Sequence, residues 1–266
     1  MFSSFEQSNP AHLPEGLGFV TVRSAALGRR ADLTLYCPPD ARGLRNIPLI
    51  LLLHGIYGSH WAWAFSGGVH RSLARLVGEG CVPPMALCMP SDGLWGDGSG
   101  YVRHDGQDFE RWVVDEAPAA ARRALPAVGA ASPLCIAGLS MGGYAALRLA
   151  ALHPGKFRAA SGHSSVTDPE QLGPWMQEPP AAWCIGAEQA RLDAVLRSAP
   201  VLPPLRFDCG IEDPLLEANR ELHRALEEAQ IPHRYEEFPG GHTWDYWSEH
   251  VARSLIYFAA VLAGPT

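Results

Sequence analysis

One hexapeptide constrains this chain more than any other stretch: Gly138-Leu139-Ser140-Met141-Gly142-Gly143, set between an apolar run and a helical one. Residues 133–137 (Pro-Leu-Cys-Ile-Ala) predict a short buried strand bounded by turn residues. Residues 141–153 are apolar almost all round, with Arg148 the single charge, and His153-Pro154-Gly155 closes them. That pattern predicts a helix with little wet surface. A serine at so tight a strand-to-helix corner needs glycine on either side, because side chains there would collide. The same strain leaves the serine oxygen exposed above the sheet, where it can act as a nucleophile. Composition alone would produce Gly-x-Ser-x-Gly roughly 0.2 times by chance. The strand before it and the buried helix after it therefore carry the inference.

Composition bounds the rest. At 266 residues the chain is ordinary for one α/β domain spanning 1–266, and long enough to bury a large core. A net charge of −7 with no basic cluster argues against nucleic acid as a partner. No apolar run approaches 18 residues, so no membrane partner is expected. Residues 1–16 are polar, lack an apolar core and are expected to be a loosely ordered segment rather than a signal peptide. The six cysteines show no Cys-x-x-Cys spacing and mostly lie in apolar stretches. They predict buried free thiols in a reducing, cytoplasmic setting. No His, Cys and Asp cluster has metal-ligand spacing, so neither a metal nor another cofactor is expected.

Strand, serine corner and buried helix together predict an α/β-hydrolase fold: a mostly parallel central sheet with an antiparallel N-terminal hairpin and helices on both faces. Residues 17–25 and 31–37 predict that hairpin. Residues 47–53 (Ile-Pro-Leu-Ile-Leu-Leu-Leu) predict a central strand covered on both faces. They lead into His54-Gly55-Ile56-Tyr57-Gly58, where a backbone N–H of an oxyanion hole is expected. His54 itself is expected to be a structural, hydrogen-bonded histidine. Helices are predicted over 69–79, 109–125, 188–197 and 244–262, and further strands over 85–89, 157–162, 204–209 and 234–238. The Gly- and Asp-rich stretch 91–106 fits no calcium-loop spacing and predicts a solvated loop beside the substrate, with Trp95 and Tyr101 as an aromatic wall. Residues 163–187, broken by prolines, predict a lid or substrate-side insertion in which Trp175, Met176 and Trp183 face an apolar substrate.

A serine nucleophile needs a base and a group to orient that base, and in this fold they follow in the order Ser, Asp or Glu, His. His242 lies in the Gly-rich turn Pro239-Gly240-Gly241-His242 after the last strand. Asp213 lies just past the strand that ends at Cys209-Gly210, at the carboxyl edge where such sheets place their sites. Asp208, inside that strand, is the rival carboxylate. Asp213 also has a plain structural role open to it, as a helix cap before Pro214.

With these residues in view, the chain resembles the esterase branch of the α/β-hydrolases that includes tributyrin esterases, feruloyl esterases, S-formylglutathione hydrolases (esterase D) and the antigen 85 mycolyltransferases. The resemblance is carried by Leu-Leu-Leu-His-Gly-Ile at 51–56, Ala-Gly-Leu-Ser-Met-Gly-Gly-Tyr at 137–144, Asp-Cys-Gly-Ile-Glu-Asp-Pro-Leu-Leu at 208–216 and Gly-Gly-His-Thr-Trp-Asp-Tyr-Trp at 240–247. It implies Ser140 as nucleophile, Asp213 as orienter, His242 as base, and the N–H groups of Ile56 and Met141 as the oxyanion hole. The loop Ile-Tyr-Gly-Ser-His lacks the cysteine of glutathione-specific members, and Leu139 stands where those members usually carry histidine. The expected activity is hydrolysis of carboxylic esters of short or aryl acyl groups, with thioester hydrolysis and acyl transfer as alternatives. A catalytically silent binding protein is disfavoured, because all three residue types occur in the required order. Tyr57, Trp61, Trp95, Trp175 and Trp244 are the expected substrate contacts, a small-molecule ester the expected partner, and a homo-oligomer remains open.

Overall fold

A strand with apolar side chains at both parities must be covered on both faces. In the computed structural model, which describes residues 2–178, 180 and 183–264, the run at 47–53 forms Leu49–Leu53, buried throughout. Leu49, Leu51 and Leu53 enter one hydrophobic core, while Ile50 and Leu52 enter a second on the opposite face. In chain order the main strands are β1 (Phe5–Gln7), β2 (Leu17–Arg23), β3 (Arg30–Tyr36), β4 (Leu49–Leu53), β5 (Ala86–Pro90), β6 (Leu134–Leu139), β7 (Ala160–His163), β8 (Leu205–Gly210) and β9 (His233–Phe238). They form one sheet in the order β1-β2-β3-β5-β4-β6-β7-β8-β9. Pairing is antiparallel from β1 through β3 to β5 and parallel from β5 to β9.

Helices cover both faces. On one lie α1 (Val69–Gly78) and the last helix, Trp244–Ala263, whose Val251, Leu255 and Phe258 pack over Ile50, Leu52 and Cys135. On the other lie α2 (109–124), α3 (Met141–Leu152) and α4 (Leu216–Glu228), so the last helix is α5. The predicted helix at 109–125 is real but not uniform: Trp112–Glu116 forms one π-turn between α-helical ends. That wider turn carries two buried polar contacts inward, the Trp112 indole N–H donating to Ser91 O at 2.8 Å and the Ser24 hydroxyl donating to Glu116 at 2.5 Å.

Several expectations need correction. Residues 1–16 hold an ordered edge element, β1, paired in register with β2. The stretch 91–106 is largely buried rather than solvated. It folds on itself around Asp92, whose carboxylate accepts the N–H groups of Leu94 and Ser99 at 2.9 and 2.8 Å. A charge satisfied locally by backbone donors can be covered. Of the cysteines, Cys88, Cys135 and Cys209 are buried, whereas Cys81 and Cys184 are exposed and Cys37 lies between. The helix expected at 188–197 is two pieces, Ala187–Ala190 and Leu192–Ser198, divided at Arg191, whose backbone is extended. Of the expected insertion at 163–187, residues 179, 181 and 182 lie outside the described residues. Among the described residues no helix is long and apolar enough to cross a membrane.

Candidate active site

β6 runs into α3 through Ser140, whose φ of 53° is a left-handed value that costs a non-glycine residue on the order of 1–3 kcal/mol. The glycines around it are there for space. A Cβ at Gly138 would stand 2.2 Å from Gly142 O, and one at Gly142 would stand 2.3 Å from Leu53 O. The corner is held from below by Ser140 N–H donating to His163 O at 2.9 Å, and by Tyr144 and Val166 N–H groups donating to Ser140 O.

The turns after β8 and β9 are stitched together by Ile211 N–H to Phe238 O and Glu212 N–H to Gly240 O, at 2.9 and 3.0 Å. Their approach is so close that a Cβ at Gly210 would stand 2.1 Å from Gly240 O. This brings Asp213 and His242 together, 29 residues apart in sequence. His242 Nδ1–H donates to Asp213 Oδ2 at 2.9 Å, with Oδ1 at 3.1 Å, which leaves Nε2 to accept from the Ser140 hydroxyl at 3.1 Å. Hydrogen placement here follows from the network, since both carboxylate oxygens are acceptors. Asp213 Oδ1 also accepts Leu215 N–H at 2.8 Å, so the orienting and capping arrangements coexist on one side chain. The carboxylate is sealed from solvent, while the imidazole is 29 % exposed toward a cavity.

That cavity, of about 670 Å³, opens at the carboxyl ends of the parallel strands and is lined by Ser140, His242 and residues of four segments: 55–66, 166–175, 214–215 and 244–247. Four of the five expected substrate contacts, Tyr57, Trp61, Trp175 and Trp244, are in its lining, as is Ile56. Trp95 is not: its ring stands edge-on to His104, centroids 4.3 Å apart, and packs against the core. Trp183 and Met176 are likewise core residues, at 4 % and 8 % exposure; the Trp183 ring fills the space where a Cβ at Gly100 would be 2.5 Å away. The Ile56 and Met141 N–H groups make no loop or turn hydrogen bond among the described residues. His54 is buried, with Nδ1–H donating to Gly55 O and Nε2 accepting Asp92 N–H, so both ring nitrogens are occupied by backbone.

Asp208 does not reach His242. It lies beneath the site with no exposure, beside His163 at 2.9 Å, Arg206 at 2.5 Å and the Tyr246 hydroxyl at 2.7 Å. Burial alone would push its carboxyl up; His163, Arg206 and Tyr246 together hold it well below the usual carboxylate range. His163 and His250 are both buried.

Trp247 also lines the cavity, where sequence reasoning gave it no more than a place in the helix predicted over 244–262. Its ring meets His242 edge to face, centroids 4.9 Å apart at 87°, and its indole N–H donates to Ser164 Oγ at 3.2 Å. Its spacing from Trp244, three positions along a helix that begins two residues after His242, was the available signal. Among the described residues no group of three or more His, Cys, Asp or Glu is placed to hold a metal ion.

A serine at a strand-to-helix corner, on a mostly parallel sheet with helices on both faces, defines an α/β-hydrolase fold. The chain belongs to the family described as "Putative esterase", whose model matches residues 24–258. It is 25 % identical over 236 residues to an acetyl esterase of Caldicellulosiruptor saccharolyticus, covering 81 % of this chain and 85 % of that one. Among solved structures it is similar to a ferulic acid esterase, with a TM-score of 0.75, 23 % identity and coverage of 92 % and 98 % of the two chains. It is also similar to an S-formylglutathione hydrolase from Staphylococcus aureus, with a TM-score of 0.77, 18 % identity and coverage of 97 % and 100 %.

Proposed function

We propose that this chain hydrolyses carboxylic esters of short or aryl acyl groups through an acyl-enzyme on Ser140. The observation that carries the reading is the unbroken relay Ser140 Oγ to His242 to Asp213, with separations of 3.1 and 2.9 Å at the floor of an open cavity. His242 Nε2 takes the hydroxyl proton as Ser140 Oγ attacks the acyl carbon, and Asp213 stabilises the imidazolium that forms. The carbonyl oxygen becomes an oxyanion beside the Ile56 and Met141 N–H groups, whose strength there comes from being fixed before charge develops. His242 then gives its proton to the leaving alcohol, and in the second half-reaction draws one from water, releasing the acid and restoring Ser140. The alcohol and acyl parts occupy a space walled by Tyr57, Trp61, Trp175 and Trp244.

The test is labelling with a neutral fluorophosphonate. The expected result is stoichiometric loss of esterase activity with the added mass on the peptide carrying Ser140, and no added mass in Ser140→Ala. Label on a different residue, or an esterase that survives full labelling of Ser140, would refute the assignment.

A further inference from the structure

We infer that this site sorts substrates by charge: it takes esters whose acyl and alcohol parts are both uncharged and rejects their carboxylate-bearing counterparts. The inference rests on the hydrolase reading above and concerns which esters that reaction accepts. Among the described residues that line the cavity there is no Lys, Arg, Asp or Glu; apart from the Tyr57 phenol, His242 is the one ionisable group. Pro179, Ala181 and Ala182, which continue the segment carrying Trp175, bring no charge by sequence.

Three of the polar side chains that line the space, Gln171, Trp247 and Tyr57, are already engaged. Gln171 is turned back on its own segment, accepting Thr167 N–H at 2.9 Å and donating to Thr167 Oγ1 at 3.0 Å. Trp247 donates to Ser164, and the Tyr57 hydroxyl donates to Trp175 O across the cavity mouth. Charges on the segments that frame the mouth are negative. Asp97 accepts Tyr57 N–H through its backbone oxygen and Gln177 N–H through its carboxylate, at 2.9 and 2.7 Å, and Glu178 accepts Asp97 N–H at 3.0 Å. Arg191, which reaches the start of the segment carrying Gln171, is paired with Asp168 and Asp193.

A carboxylate entering this cavity would give up its water and meet no cation among the lining residues. Burying an unpaired charge is among the most costly steps a site can ask of a ligand. A neutral aryl or alkyl group loses only water that it holds weakly.

The experiment compares two isosteric pairs, one for each side of the scissile bond. For the acyl side the esters are 4-nitrophenyl 4-carbamoylbenzoate and 4-nitrophenyl 4-carboxybenzoate. For the alcohol side they are 3-acetoxybenzamide and 3-acetoxybenzoate. Each kcat/KM is divided by that ester's own hydroxide-catalysed rate, which removes differences in intrinsic reactivity. The carboxylate member of each pair is expected to fall on the order of 10²-fold below the amide. In Trp61→Arg, which puts a cation on the rim where Trp61 is 45 % exposed, the carboxylate-to-amide ratio should rise at least about tenfold. Normalised rates within threefold of each other would overturn the inference while leaving the hydrolase reading intact. A low carboxylate rate that Trp61→Arg does not raise would assign the rejection to shape and overturn it as well. Failure to turn over either member of either pair would instead refute the hydrolase reading, and the selectivity with it.

Discussion

Replacing Asp213 by asparagine exchanges one carboxylate oxygen for an amide nitrogen and leaves volume and shape almost unchanged. The consequence follows from which atoms it now serves. Oδ1 accepts Leu215 N–H at 2.8 Å, so the amide oxygen is held at that position and the NH₂ group faces His242 Nδ1. Nδ1 must then accept rather than donate, and the imidazole proton moves to Nε2, pointing at the Ser140 hydroxyl 3.1 Å away. A base that already carries its proton cannot take another. For a triad of this geometry the expected loss is up to about 10⁴-fold in kcat, or about 5.5 kcal/mol of transition-state stabilisation. Stability should barely move, because the cap to Leu215 survives; even full removal of a cap costs about 1 kcal/mol.

The assay is kcat with 4-nitrophenyl acetate on wild type, Asp213→Asn and Asp208→Asn, alongside thermal unfolding of each. Asp208→Asn serves as the contrasting case. It leaves the Arg206 guanidinium without the Asp208 carboxylate in a site with no exposure, and breaking such a pair costs about 3–5 kcal/mol. Its Tm should fall by on the order of 10 °C. The reasoning is refuted if Asp213→Asn turns over within tenfold of wild type while a folded Asp208→Asn is inactive.

Other outcomes can be checked with the same protein. Ser140→Ala should fold normally and lose on the order of 10³-fold or more in esterase rate, read with the same chromogenic ester after an active-site titration. Gly142→Ala should lower Tm and activity together, because the new Cβ would lie 2.3 Å from Leu53 O; a variant as stable and active as wild type contradicts the packing argument. Normalised kcat/KM across acyl lengths should be greatest for short or aryl groups, given the five Tyr and Trp side chains lining a cavity of about 670 Å³, and an optimum at about ten carbons or more would contradict this. The Asp208 carboxyl is held below its ordinary value in the folded chain, so the stability it contributes is complete above the unfolded value of about 4 and is lost as pH falls below that toward its folded value. The Tm gap between wild type and Asp208→Asn should therefore narrow between pH 5 and about pH 2, measured by scanning calorimetry.

Much of this arrangement is legible in the sequence because it depends on short-range rules. A continuous apolar run such as 49–53 has one plausible fate, and a serine between glycines after a strand has few. Position favours Asp213 over Asp208 as the neighbour of His242, since a residue inside a strand is held by the pleat whereas one beyond its end is free to turn. What was not legible depends on contacts distant in sequence. Asp and Gly residues at 91–106 look solvated until Asp92 is seen closing its own loop and Trp183 is seen lying over Gly100. Trp95 and Trp175 are both indoles in Gly- or Pro-rich segments; only tertiary packing sends one against His104 and the other to the cavity rim. β1 is three residues with no alternation of its own, and its pairing with β2 is what makes it a strand.

The molecule contains two Asp-His-Ser arrangements, and they differ in what surrounds them. In the second, His163 lies 2.9 Å from Asp208 through Nδ1 and 2.8 Å from Ser254 Oγ through Nε2, distances close to those of the first. By separations alone either could activate a serine. Yet all three of its members are fully buried, Ser254 Oγ is also shared with Ser161 at 2.7 Å, and Arg206 neutralises the carboxylate. A serine there has no room for an acyl carbon and no path for water. The three residues belong to β7, β8 and α5, below the carboxyl edge that the first arrangement overhangs. Their backbones nonetheless reach the first site: His163 O receives Ser140 N–H, and Asp208 O receives Ser164 N–H, whose own side chain receives Trp247. The buried set thus acts as a brace under Ser140 and behind His242. Loss of its charge balance should therefore reach turnover only by loosening Ser140 and His242, with stability falling first.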